Sequence, residues 1–121
     1  MKEEPRLPLK GAQELLRIYI NDGDRWQGRP LSQAIVAKAR EAGLAGCTVL
    51  PSAGGFGSSG ALHDARFEEA FLNLPLVVEI IDRPDRIEAL IPVLDSMIPQ
   101  GMITREKLQI RIHRATPGAE P

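Results

Sequence analysis

The sequence predicts an α+β fold: a four-stranded antiparallel sheet with two helices on one of its faces. Three observations predict it. Four short apolar segments, near residues 18, 49, 78 and 110, have strand character. Two stretches opened by Pro30 and Pro84 carry apolar residues at helical spacing. Their order along the chain is β-α-β-β-α-β, the split βαβ order of a ferredoxin-like sandwich, which puts both helices on the same side.

Each element follows from its residues. Leu16, Ile18 and Ile20 alternate with Arg17, Tyr19 and Asn21, the period-two pattern of a strand with one face in a core. The run Asn21-Asp22-Gly23-Asp24 breaks it. Pro30 suits a first helical position. Leu31, Ile35, Ala39 and Ala42 then line one side of a helix, with Gln33, Arg40 and Glu41 opposite and Gly43 as a C-terminal stop. Cys47-Thr48-Val49-Leu50 reads as a second strand ended by Pro51. Residues 52–60 hold four glycines and three serines, so they form an irregular loop, expected to be mobile without a ligand. The pattern over 61–73 fits a helix or an extended arm, with Phe67 and Phe71 at helical spacing. Residues 76–81 are rich in Val and Ile and fit a central strand. Pro84 opens the second helix, with Ile87, Leu90, Ile91, Leu94 and Ile98 on one stripe, Pro92 inside and Gly101 at the end. Leu108, Ile110 and Ile112 alternate with Gln109, Arg111 and His113 as the fourth strand.

The organisation expected is one domain over 14–114, with a flexible lead over 1–13 and a tail over 115–121. Its length of 121 residues and 43% hydrophobic content suffice for one packed core and exclude a wholly disordered chain. Aromatics are 4%, so aliphatic side chains must fill that core. A formal net charge of −1 argues against a free-standing nucleic-acid binder. The single cysteine, Cys47, rules out an internal disulfide framework and a cysteine-based zinc site. No apolar run approaches the ~18 residues of a membrane span, and 1–6 do not lead a secretory signal. A cytoplasmic protein is expected. One sheet with helices on one face leaves the other bare. Tyr19, Val77, Ile81, Cys47 and Val49 are the residues expected there, and self-association is the expected cover.

Few segments could carry chemistry. Gly54-Gly55-Phe56-Gly57 follows a strand, where backbone N–H groups can approach an anion closely. Its spacing is neither that of a P-loop nor that of a dinucleotide fingerprint, so a surface turn competes with a ligand loop. Residues 101–107 read as a helix end, a turn and a strand entry. There Lys107 could hold a phosphate as a point charge, against a merely solvated turn. Trp26, in the polar loop 24–29, could stack on a base or partner or close off the core. His63 and His113 lack neighbours at metal-ligand spacing. Glu68 and Glu69 are adjacent and diverge on a helix. Ser58 and Ser59 have no evident base, and Cys47 is expected to be an unreactive apolar filler. No catalytic residues and no metal site are expected.

Three segments resemble the PII signalling superfamily. Residues 43–57, GLAGCTVLPSAGGFG, are similar to that family's Gly-x-x-Gly-x-Thr-Val…Gly-Phe-Gly entry into a long mobile loop. Residues 74–82, LPLVVEIID, are similar to its third strand, and 101–107 occupy the position of its nucleotide-binding turn. Over about 15–112 the chain looks most like the PII-like branch known as a domain of unknown function. The resemblance implies a ferredoxin-like protomer in a homotrimer, with AMP, ADP or ATP in clefts between subunits. It also implies a mobile loop that signals to a protein target, such as a membrane transporter, and no enzymatic activity. Carried over by position, Thr48 lies near the base. Gly55, Gly57 and Ser59 cap the phosphates, Gly101 and Lys107 form the phosphate turn, and Arg29 assists from the entry to helix one. Arg111 and Arg114 stand in for the family's C-terminal arginines. The chain departs from the family at 102–106, which are not glycine-rich, and in having no tyrosine between Gly57 and Asn73.

Other proteins share this element order. A CutA-like trimeric metal-tolerance protein would want clustered His, Cys or carboxylates. An RNA-recognition module would want aromatics on strands one and three. An acyl-phosphate hydrolase would want an arginine loop after strand one, for which only Arg25 and Arg29 are candidates. A protein-only interaction module is the remaining alternative.

Overall fold

The computed structural model describes residues 8–56 and 74–114. The expectations for Gly57, Ser58, Ser59, His63, Glu68, Glu69 and residues 61–73, and for 1–7 and 115–121, fall outside them.

The chain folds as strands β1 (Gly11–Asn21), β2 (Arg25–Trp26) and β3 (Arg29–Pro30), helix α1 (Leu31–Glu41), strands β4 (Thr48–Pro51) and β5 (Pro75–Asp82), helix α2 (Pro84–Met97) and strand β6 (Met102–Ile110). β4, β5, β1 and β6 lie side by side in that order, every neighbour antiparallel. This is the ferredoxin-like α+β sandwich that the element order predicts.

The core lies between one face of this sheet and the two helices. Leu16 and Ile18 of β1, Val78 and Ile80 of β5, Leu31, Ala34 and Ile35 of α1 and Ile87 and Leu94 of α2 are fully buried. All belong to one aliphatic cluster. The even-numbered residues of β1 and β5 therefore face the helices, and the odd-numbered ones face outward. Burying side chains of this size from both layers is the main term holding the sandwich together, at roughly 1.5–3 kcal/mol each.

The boundaries differ from the expected ones in five places. β1 begins at Gly11, taking in residues assigned to the lead, because β6 pairs with it from Gly11 onward, while β5 joins only at Glu14. β6 begins at Met102 and ends at Ile110. Residues 102–107 are thus strand rather than a turn, and their charges hide the alternation. Arg105 pairs with Glu14 of β1 and donates to Glu88 Oε1 of α2 at 2.6 Å. α2 ends at Met97, four residues before Gly101. Residues 25–30 form a small hairpin, β2 against β3. Its two-residue turn, Gln27-Gly28, has φ of +50° and +81°, the backbone that two-residue hairpins need. Pro30 sits immediately before α1 rather than in its first turn.

Trp26, on that hairpin, packs against the edge of the core, and the Lys38 ammonium lies 5.5 Å from its ring centroid. It closes off the core; it does not stand out as a stacking platform. Gly43, at φ +76°, stops α1 as expected. Cys47 and Val49 pack on the helix side, against the aliphatic cluster, not on the bare face. The reason is register: Val49 is the partner of buried Val78.

Candidate functional site

The open face of the sheet is organised in rows across the strands. Register aligns Leu50, Val77, Tyr19 and Met102 in one row. Leu50 is 43% and Met102 54% exposed, so this row is an apolar stripe facing solvent. The next row is Thr48, Glu79, Arg17 and Thr104. Here Arg17 Nε donates to Glu79 Oε2 at 2.9 Å, and an Arg17 terminal nitrogen donates to Glu106 Oε1 at 2.7 Å. The Glu79 hydrogen bond, then the two carboxylate charges, hold the Arg17 guanidinium in its charged form. These pairs are half exposed, so they fix side-chain positions more than they stabilise the fold.

One end of this face opens into a hollow of about 530 Å³, within the range of small-molecule sites. One wall is the α1–β4 connection, Ala45, Gly46, Cys47 and Thr48; the floor holds Glu79 and Ile81 of β5. The opposite wall is the end of β6 and the chain beyond it, from Leu108 to His113, with Leu9. His113 Nδ1 accepts a 2.6 Å hydrogen bond from the Leu9 N–H, joining the two ends of the described chain. The lining is mainly aliphatic, with Thr48, Glu79, Gln109, Arg111 and His113 as its polar residues. Glu79 is committed to Arg17. The positive charge of Arg111 therefore dominates the free chemistry of the hollow, which suits an anion with an apolar body.

The wall at 45–48 is set by a buried carboxylate. Asp82, at the end of β5, is 2% exposed. It accepts from the Ala45 N–H and the Arg83 N–H, each at 2.7 Å. Arg86 Nε lies 4.0 Å away and its terminal nitrogen donates to the Gly43 carbonyl at 2.6 Å. Together these contacts tie the α1–β4 connection to the start of α2.

The residues expected to form a site are placed as follows. Thr48 lines the hollow. Gly55, at φ +140°, lies against Pro75, where a Cβ would meet the ring at 3.6 Å. The loop entry is held there too, for Ser52 donates its hydroxyl to the Pro75 carbonyl at 2.7 Å. Gly101, at φ +146°, packs beneath the Tyr19 carbonyl. Lys107 is exposed on β6, opposite Glu14, and by alternation it points to the helix side of the sheet. Arg29 is exposed on the hairpin. Thr48 and Lys107 thus occupy opposite edges of the sheet, separated by three strand spacings (about 14 Å) across it and by three residues (about 10 Å) along it, and lie on opposite faces. Within one protomer they do not meet. Arg111 and His113 do line the same hollow as Thr48, from its opposite wall. Arg111 is legible in the sequence only through the family's C-terminal arginines. His113 and the 45–46 backbone carry no local signal, since the fold alone brings them together.

Cys47 belongs to the 45–48 wall of the hollow, but its half-buried thiol packs against the aliphatic cluster, and burial pushes its pKa up to about 11. The thiolate is the reactive species. Alkylation at pH 8 is therefore expected to run about a hundredfold slower in the folded protein than in denaturant, where the group returns to its ordinary value of 9.0. Equal rates, followed by mass spectrometry, would show the thiol to be freely solvated. Among the described residues no three His, Cys, Asp or Glu side chains gather as a metal site, and no helix is long and apolar enough to cross a membrane.

Comparison with known proteins gives a consistent picture. The sequence profile of the DUF190 family, described as "Uncharacterized ACR", matches residues 13–110. A UPF0166 protein of Aquifex aeolicus is 29% identical over 97 residues, covering 80% of this chain and 91% of that protein. A UPF0166 protein of Methanocaldococcus jannaschii is 28% identical over 85 residues, covering 70% of this chain and 78% of the relative. Among solved structures, CPII from Thiomonas intermedia K12, bound to ADP, AMP and acetate, superposes with a TM-score of 0.51. It is 12% identical and the match covers 83% of this chain and 89% of that one, a likeness of fold.

Proposed function

The chain belongs to the DUF190 family, with a PII-like fold, and from that premise we propose that it is a cytoplasmic, non-enzymatic regulator. In this reading it binds AMP, ADP or ATP and passes the signal to a protein target through its Gly/Ser-rich loop. The observation that carries this reading is the hollow: large enough for a nucleotide, aliphatic in its lining, and carrying Arg111 and the Thr48 hydroxyl. The solved structure of CPII with ADP and AMP supports the choice of ligand.

The placement of Thr48 and Lys107 gives the proposal a specific form. Two groups on opposite faces of one sheet serve one ligand only when they come from neighbouring protomers. Gly101 and Lys107 of one protomer then complete the site begun by Thr48 and Arg111 of the next, with Arg29, Gly55, Gly57 and Ser59 at its margin. A homotrimer provides such boundaries. It also gives the Leu50–Val77–Tyr19–Met102 stripe something to bury against. Among the described residues no nucleophile is held by an aligned base, so the bound nucleotide stays intact.

Light scattering at micromolar concentration should give three times 13.2 kDa. Titration calorimetry should detect at least one of the three nucleotides. Arg111→Ala and Lys107→Ala should each weaken binding by about ten- to a hundredfold, the loss of one charge-assisted hydrogen bond. Both variants should melt within a few degrees of the parent, since both side chains are exposed. A monomer, or a trimer that binds none of the three at millimolar concentration, would overturn the nucleotide reading in favour of a protein-only interaction module.

A further inference from the structure

Leu9 and His113 are 104 residues apart in sequence, yet one hydrogen bond joins them at the rim of the hollow. The β1–β6 ladder ends at the pair Gly11 and Ile110. Beyond that pair, Leu9 and residues 111–113 continue as a wall of the hollow. The bond that holds this continuation runs from a backbone N–H to the imidazole Nδ1, which accepts only in the neutral ring with its proton on Nε2. Once protonated, both ring nitrogens are donors and Leu9 loses its acceptor.

We propose that His113 is a proton-operated clasp on the hollow: neutral, it holds the 8–10 and 111–114 segments together; protonated, it lets them part. This regulation acts on the same hollow as the nucleotide reading and rests on that reading only where ligand affinity is concerned. The charged and titratable groups around the clasp are few. Glu79, Cys47 and Arg111 share the hollow with His113, and Lys10 and Arg114 flank the joined segments in sequence. Glu79 is turned to Arg17. Cys47 is held as the thiol. Arginine keeps its charge at every relevant pH. Among the groups lining the hollow, histidine is the side-chain type that changes charge between pH 5 and 8. A charged His113 would stand in the same wall as Arg111, and that repulsion acts in the same direction as the lost bond.

Amide exchange in the full-length, ligand-free protein tests the clasp. After correction for intrinsic rates, protection of the Leu9 amide should fall about tenfold or more between about pH 7.5 and pH 5.5, the worth of one hydrogen bond. His113→Asn keeps an acceptor that does not titrate, so its protection should be independent of pH. His113→Leu removes the acceptor and should be unprotected at both. A flat profile in the parent, or parent-like protection in His113→Leu, overturns the proposal. Calorimetry with ADP at the two pH values then asks whether the clasp governs affinity. The affinity ratio should be larger in the parent than in His113→Asn, which cancels the titration of the nucleotide itself. An equal ratio overturns the regulatory part. If neither protein binds ADP, the nucleotide reading fails, and Leu9 exchange alone decides whether the clasp stands.

Discussion

Gly101→Ala is expected to destabilise the fold by about 3 kcal/mol or more, lowering Tm by roughly 12–24 °C for a domain of this size. Two effects add. The backbone has φ +146°, a conformation that residues with a Cβ rarely adopt. A Cβ placed there runs into the Tyr19 carbonyl and meets the Ile98 and Ile20 side chains at 3.3 and 3.4 Å. The Tyr19 carbonyl belongs to the central strand and has no freedom to withdraw. Gly46→Ala is the matched control. Gly46 has no positive φ, and a Cβ added to it would meet nothing within 4 Å, so its melting should stay within a few degrees of the parent. Thermal denaturation followed by circular dichroism checks both. A Gly101→Ala protein that melts like the control would show that the α2–β6 connection can shift, and that this glycine serves the ligand and not the fold.

The second large effect is expected at Asp82. Truncation to alanine should cost about 2–4 kcal/mol in chemical denaturation, because it leaves buried donors without their acceptor. The Ala45 and Arg83 N–H groups both lose their partner, and the Arg86 guanidinium loses the nearby charge. Asp82→Asn keeps one carbonyl oxygen and can satisfy one of the two N–H groups, so its cost should be smaller. The same variants should speed exchange at the Ala45 amide and loosen the 45–48 wall of the hollow. A cost below about 1 kcal/mol for Asp82→Ala would mean that water replaces the carboxylate.

The fold is legible in the sequence because two signals are local. Alternation of Leu16, Ile18 and Ile20 and the helical stripes through Ile35 and Leu94 name the elements and the faces they bury. Pro30, Gly43, Pro84 and Gly101 punctuate them, each because of what its own backbone can adopt. β6 reads too short for the opposite reason. Arg105 and Glu106 look like a solvated turn until Glu14, Glu88 and Arg17 are opposite them. The hairpin at 25–30 escapes a local reading because Gln27 is a rare residue at positive φ.

By itself, then, the sequence determined the class of the fold, the order of its elements, most of its aliphatic core and the family resemblance. These depend on periodicity and on residue-specific backbone preference, which act over a few positions. The tertiary structure alone decided that Arg111 and His113 share a hollow with Thr48 while Lys107 points to the other face of the sheet. It alone decided that Cys47 and Val49 face inward, that Asp82 anchors the wall of the hollow and that Leu9 is clasped to His113. Each depends on strand register and on contacts between residues tens of positions apart. Shifting a strand by one residue turns every side chain to the other face, and no local pattern records which register the whole sheet selects.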